Sequence, residues 1–347
     1  MKPFDNLTYH GRIRRIGQLA QAALSIYGLT DARLSLLRQS ANTLFRAQVT
    51  NPTLTGQEDL YTPGQYLLRI HFPGLQTTEA LELELAWQAA MCREANLPVP
   101  EPVPALDGRL LVQVTIPGIP GPRNCSLLRW LKGRQIHKNF RPTHYRAQGQ
   151  LLARLHNFSA HWQPPAGIAK RKYDWEGLFR DDSGIGTPAS EAWVYLPPTY
   201  VKPFEAVASQ IKQVMDAWGK SPDIYGLIHG DLCLYNNILF WGGEARPIDF
   251  DESGFGYYVY ELGVALDSCQ EDEALPLFRA ALLDGYTQIR PLSTDQIENM
   301  DLFLAAGCVY ISLRRAVMAH LYPMYSEGLR QRMEEGFKLV SRFLASR

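Results

Sequence analysis

The chain changes its hydrophobic rhythm repeatedly, and each change predicts an element. Ile13, Ile16, Ala20, Ala23, Leu24 and Tyr27 recur at helical spacing and stop at Gly28, which predicts an amphipathic helix. Apolar runs at Leu34–Leu37, Thr43–Val49 and Tyr66–Phe72 read as strands. A second helix is expected from about Thr78 to Ala95, with Leu81, Leu85, Ala89 and Cys92 on one face. Glu79 and Glu82 fall in its first turn, where the helix dipole favours acids. Pro98, Pro100, Pro102 and Pro104 predict a stiff extended segment, followed by strands at Arg109–Ile116 and Cys125–Leu131. This first part therefore reads as a mostly antiparallel sheet with one helix inserted after the third strand. The remainder reads as helical, at Thr143–Phe158, Phe204–Trp218, Glu261–Cys269, Asp272–Thr287, Thr294–Met318 and Glu327–Ala345, with an irregular stretch at Pro164–Pro203.

One stretch breaks the helical pattern, Leu227 to Glu252 (LIHGDLCLYNNILFWGGEARPIDFDE). It predicts a short strand to His229, a tight loop from Gly230 to Asn236, and a hairpin turning at Gly242-Gly243-Glu244. That geometry brings Asp231, Asn236 and Asp249 to one end. Phosphoryl transfer needs a carboxylate for a hydroxyl proton and oxygen ligands for magnesium, and these residues offer both. The interval from Asp231 to Asn236 equals the Asp-to-Asn interval of the kinase catalytic loop, and Asp249-Phe250-Asp251 stands where kinases carry Asp-Phe-Gly. A hairpin turn that merely carries Asp and Asn is the plain alternative, because turns favour both residues.

Composition excludes several classes. With 347 residues, 46% hydrophobic and 20% charged, the chain is long enough for a large core and has a globular balance. Zero net charge gives no general attraction to nucleic acid or to an acidic membrane. The five cysteines are scattered and form no C-x-x-C pair, which fits reduced thiols. The basic N-terminus lacks a signal-peptide core, and the apolar run Phe303–Leu313 is too short to span a membrane, so a cytoplasmic protein is expected.

His229-Gly230-Asp231-Leu232 with Asn236, then Ile248-Asp249-Phe250-Asp251, resembles the aminoglycoside phosphotransferase and choline kinase family, the small-molecule branch of the protein-kinase-like fold. The resemblance implies an α+β two-lobe protein, with a nucleotide-binding lobe over residues 1–129 and a helical lobe over 130–347. It implies transfer of the γ-phosphate of ATP, with Mg2+, to a hydroxyl of a small molecule. Asp231 would be the base, and Asn236 and Asp249 would hold the metal. Arg69, set by Glu84, would hold phosphates, Ser40 and Asn42 would donate to them, and the backbone of Leu128–Trp130 would meet the adenine. Two departures stand out: Gln39–Thr43 contains no glycine, and Arg69 replaces the usual lysine, offering a planar fork in place of a point charge. The acids Asp251, Glu252, Glu261 and Asp267 and the run 271–273 would attract an amine on the acceptor, and Trp175 is expected near its entrance. The loose G-x-G-x-x-A at Gly184–Ala189 has Pro188 and no flanking strand against it. Two other readings share the motif: a protein Ser/Thr kinase of the bacterial stress-response type, and a catalytically silent nucleotide-binding regulator.

Overall fold

A computed structural model of the chain describes residues 2–39, 42–52, 56–165, 171–180, 188–267, 273–322 and 326–346. These group into two compact units, one built from the chain up to Gly133, the other from Arg134–Gln163 and the chain from Arg171 onward. The sequence expectation of a boundary after residue 129 therefore meets a division four residues later.

In the first unit, α1 (Tyr9–Ile26) begins where the Thr8 side chain accepts from the Gly11 N–H. Four antiparallel pairings join β1 (Arg33–Gln39), β2 (Thr43–Gln48), β3 (Tyr61–Ile70), β4 (Leu111–Val114) and β5 (Arg123–Leu131) in the order β1-β2-β3-β5-β4. Between β3 and β4 lies α2 (Thr78–Ala95), capped by the Thr77 side chain and closed by left-handed Asn96. The period of two sorts the sheet's side chains. Phe45, Ala47, Leu68, Ile70, Cys125 and Leu127 pack with Leu19, Ala20, Ala23 and Leu24 of α1. Leu67, Leu111 and Leu128 pack instead with Leu81 and Leu85 of α2. Arg69 shares the face of Leu67 and is thereby delivered to α2, where Glu84 waits. The proline segment is extended as predicted and runs along β5: Val103 N–H donates to Leu127 O, and Arg129 N–H donates to Glu101 O.

In the second unit, β6 (Arg134–Gln135) precedes α3 (Pro142–His161). The stretch expected to be irregular holds β7 (Lys172–Tyr173), α4 (Trp175–Phe179), α5 (Ala189–Ala192) and the start of α6 (Pro198–Trp218), which continues through Pro203. Then come β8 (Tyr225–Ile228), β9 (Ile238–Trp241), β10 (Glu244–Pro247) and β11 (Gly254–Tyr257). Two small sheets result, β10-β9-β6 and β7-β11-β8. Four helices complete the unit: α7 (Tyr258–Ala265), α8 (Leu275–Thr287), α9 (Thr294–Leu321) and α10 (Ser326–Ala345). By length and composition α9 passes for a membrane span, but most of its apolar window is buried inside the unit, as befits a core helix. The run Phe303–Leu313 is its middle, and the helix is capped by reciprocal bonds between Ser293 and Gln296.

Helices α3 and α8 approach to the limit that glycine allows. A Cβ on Gly149 would lie 2.1 Å from Leu282 O, and one on Gly285 would lie 2.1 Å from Arg146 O. Neither backbone oxygen can step aside as a flexible side chain can. Gly149→Ala is therefore expected to destabilise the protein by about 1–3 kcal/mol, the range for forced overpacking. Urea denaturation reads this as a lower midpoint, and an unchanged midpoint would mean that the helices do not pack this closely.

Candidate active site

The strand β8 ends at Ile228, and the chain then enters the loop that carries the motif. His229 is fully buried; its Nε2 lies 2.9 Å from Ile248 O, and its ring packs on Phe250 at 4.6 Å. These contacts fasten the loop to the residues on either side of Asp249. Gly230 has a φ of +82°, and a Cβ there would meet Glu252 O at 2.5 Å and the Tyr173 hydroxyl at 2.6 Å. Both its conformation and its surroundings therefore require glycine.

The N–H of Gly230 donates to Glu261 Oε1 at 2.7 Å. Glu261 is completely buried, and its other oxygen lies 2.8 Å from His156 Nε2. The remaining nitrogen of His156 lies 2.9 Å from the Tyr286 hydroxyl. Burial holds the His156 imidazole below its ordinary value, so the neutral ring donates from Nε2 and accepts at Nδ1. The sequence places Glu261 among the acids expected to attract an amine. In the structure Glu261 is committed to the loop, with His156 behind it.

Asp231 sits one residue beyond this anchor. Its Oδ2 accepts from Asn237 Nδ2 at 2.8 Å, and the same amide reaches its backbone oxygen at 2.7 Å. Its Oδ1 receives the Cys233 thiol at 3.6 Å. Desolvation is the main cause raising Asp231 above the ordinary carboxylate range, and the Asp249 charge raises it further. Burial pushes the Cys233 thiol well up, so it remains a donor and not a thiolate. This contact depends on the fold of the turn.

Asn236 requires a correction. It is exposed, whereas Asn237 is 2% exposed and holds Asp231. The cause is the turn: Cys233 O accepts from the N–H of both Asn236 and Asn237, and Asn237 O then takes the Ile248 N–H to open the hairpin. Counting residues from Asp231 lands one short of the side chain that turns back.

Asp249 adopts a left-handed φ of +65° with ψ of 70°, rare outside glycine. Two carboxylates and an amide thus converge in the second unit. Among the described residues no group of three His, Cys, Asp or Glu side chains forms a metal cage by itself. That set suits magnesium, which takes one or two carboxylates and fills its octahedron with water and phosphate oxygens, better than a softer metal.

The first unit holds a buried cation. Arg69 Nη2 lies 2.8 Å from Glu84 Oε1, with the two side chains 4% and 0% exposed. Two residues on, burial holds His71 well below its ordinary value, and its Nε2 lies 3.0 Å from Ser126 Oγ. Asn42 is buried, and its Oδ1 accepts the Phe72 N–H at 3.0 Å, bracing the end of β3. Ser40 and residues 184–187 lie outside the described residues.

Three further expectations change. Leu128 does not offer a free backbone edge to a base, because it pairs with Leu67 on one side and Pro102 on the other, and its side chain is in the α2 core. Trp130, two residues on, is half-buried, with the Arg46 guanidinium 6.0 Å from its ring. Trp175 donates its indole N–H to Ala208 O and stacks under Lys212, which makes it part of the α4–α6 packing and not an entrance residue. Glu252 is held by Arg314 through two bonds of 3.0 and 3.2 Å and by Arg171, so its charge is already answered. Asp251 is half-buried in the turn after Asp249, and Asp267, raised by burial, receives the Cys308 thiol at 3.7 Å.

Comparison with known proteins identifies the family. A model of the phosphotransferase enzyme family (APH) matches residues 57–294, and the chain belongs to that family. A solved structure of a microcompartment-associated aminopropanol kinase superposes with a TM-score of 0.76 at 25% identity, covering 95% of this chain and 98% of that one. An amicoumacin kinase solved with AMP-PNP, Ca2+ and Ami shares the fold at a TM-score of 0.68 and 18% identity, over 88% of each chain. The homoserine kinase of Rhizobium meliloti is 26% identical over 64% of this chain, and the match spans 64% of that enzyme. The chain is a kinase that phosphorylates a small molecule, and its family uses a nucleotide with a divalent metal.

The raised Asp231 has a consequence for stability. Its unfolded form ionises first as pH rises, so the folded state is penalised above the ordinary carboxylate pKa of about 3.9. Asp231→Asn removes the charge and is expected to stabilise the protein near pH 7 by about 0.5–2 kcal/mol, with the gain fading below about pH 4. Thermal melts of the two proteins across this range check the sign. A variant less stable at pH 7 would mean that the charge is not penalised.

Proposed function

We propose that this protein transfers the γ-phosphate of ATP, with Mg2+, to the hydroxyl of a small amine-bearing alcohol. The observation that carries the reading is the seating of Asp231: its backbone is fixed through Gly230 to Glu261, and its carboxylate is oriented by Asn237 beside Asp249. A carboxylate so held, with its basicity raised by burial, suits the acceptance of an alcohol proton during transfer. A bound Mg2+ would supply positive charge to offset that of the nucleotide phosphates. Asn237 and Asp249 would hold it, and Arg69, kept in place by Glu84, is the protein's own cation for the phosphates.

For the acceptor, the acids around Asp231 divide into two sets. Glu252 is neutralised by arginines, and Glu261 serves the loop. Asp267, whose charge is felt by Cys233 and Tyr235 of the catalytic loop, would favour an ammonium group, and the exposed Tyr235 offers an aromatic face for it. Similarity over nearly the whole length to an aminopropanol kinase supports the same class. The protein-kinase alternative is disfavoured by the short path after Asp249, which enters β11 at Gly254 and pairs at once with β8, leaving little chain to grip a peptide.

The test is a screen of small amino alcohols, homoserine and the matching amine-free alcohols, coupled to ADP release. Turnover is expected with an amino alcohol and is expected to fall about 10²–10⁴-fold in Asp231→Asn, the span of general-base catalysis, while nucleotide binding persists. Near-normal turnover in that variant would remove Asp231 as the base. Equal kcat/KM for an amine-free alcohol would remove the amine. Within the same assay, Asn237→Ala is expected to raise the Mg2+ requirement about 10–100-fold, and Asn236→Ala to stay near wild type. The reverse order would restore Asn236 as the metal residue.

A further inference from the structure

Asp249 is held in a backbone conformation that costs a non-glycine residue about 1–3 kcal/mol, and such a conformation persists only where the surroundings fix it on both sides. The upstream side is fixed by Ile248, bonded through its oxygen to His229 and through its N–H to Asn237. Downstream the chain makes one tight turn, Phe250–Glu252, and then meets an ion-pair cluster. Arg314, from the core helix α9, grips both carboxylate oxygens of Glu252, and Arg171 contacts the same carboxylate. The backbone of Glu252 is held as well, since the Tyr173 hydroxyl donates to its oxygen at 2.6 Å.

This junction touches the catalytic loop directly. The Tyr173 hydroxyl and Glu252 O are the two atoms against which a side chain on Gly230 would collide. Gly230 is thus enclosed from one side by Glu261 and from the other by the Glu252 cluster. Phe255 N–H donates to Arg171 O, so the strand after the turn is tied to the same arginine's backbone. The three side chains are 14–28% exposed, so the pair is neither a solvated surface contact of little worth nor a fully buried one.

We propose that Glu252, clamped by Arg314 and Arg171, is a positioning residue that locks the segment after Asp249 onto the catalytic loop and so fixes Asp249 for metal binding. The lock is built into the sequence as a carboxylate and needs no added phosphate to close. This inference rests on the kinase reading of Asp231 and Asp249, and it assigns Glu252 to their geometry and not to the acceptor.

The test compares wild type with Glu252→Gln, Arg314→Gln and the double variant. Three quantities are read: turnover, the Mg2+ concentration that half-saturates it, and calorimetric binding of Mn2+-ADP. Each single variant is expected to lose about 10–100-fold in kcat and to need more metal, while KM for the acceptor changes little, as for other partners that orient a metal site. The double variant is expected to lose no more than the worse single one, because one contact is removed by either change. A role confined to stability would lower Tm but leave the metal requirement of the folded protein unchanged, and that result overturns the proposal. So would additive losses, or a raised acceptor KM with kcat intact, which would return Glu252 to the substrate. A wild type that neither turns over nor binds Mn2+-ADP would instead defeat the underlying kinase reading.

Discussion

The site depends on holding Asp231 beside the charge of Asp249 in a place where burial already disfavours its carboxylate. Water would separate Asp231 from Asp249 and screen what repulsion remained; here desolvation and proximity both oppose the charge on Asp231. The surrounding structure must supply the restraint. It does so with a strained Asp249, a glycine that no other residue can replace at position 230, and a buried carboxylate at Glu261 that takes the Gly230 N–H. A divalent cation held at Asp249 would relieve this repulsion, and the restraint leaves the two carboxylates positioned before it binds.

The restraint explains otherwise odd features of the second unit. A buried histidine and a tyrosine hydroxyl stand behind Glu261, because a fully buried carboxylate needs donors for its oxygens. Glu252 is committed to two arginines close to Asp249, where a free acid would draw in an amine. Both expenditures make sense if fixing backbone matters more here than attracting substrate. The first unit solves a similar problem more simply. Its cation is carried on a strand, set by the alternation of side chains, and met by a helix acid one layer away.

Much of this was legible in the chain. The helix expected from about Thr78 to Ala95 forms over Thr78–Ala95, because its first-turn acid and its apolar face agree. The pairing of Arg69 with Glu84 came from the family resemblance, and the two side chains do meet. The carboxylates Asp231 and Asp249 were found because apolar strands flank them. What was misread depended on contacts distant in sequence or on turn geometry. Asn237 could not be told from Asn236, since a tight turn decides which of two neighbours points back. Leu128 lost its free edge to a proline segment whose extension was foreseen but whose partner was not. Glu252 met Arg314 from a helix 62 positions away, and Trp175 met Ala208, and neither contact leaves a local pattern.

The central claim is that Asp231 and Asp249 feel each other's charge. Infrared difference titration of the Asp231 carboxylate, in wild type and in Asp249→Asn without metal, measures this directly. The account predicts that removing the Asp249 charge lowers the pKa of Asp231 toward the ordinary carboxylate range. An unchanged Asp231 titration would show that the two groups are not coupled, and the shared metal and phosphate site would lose its physical basis.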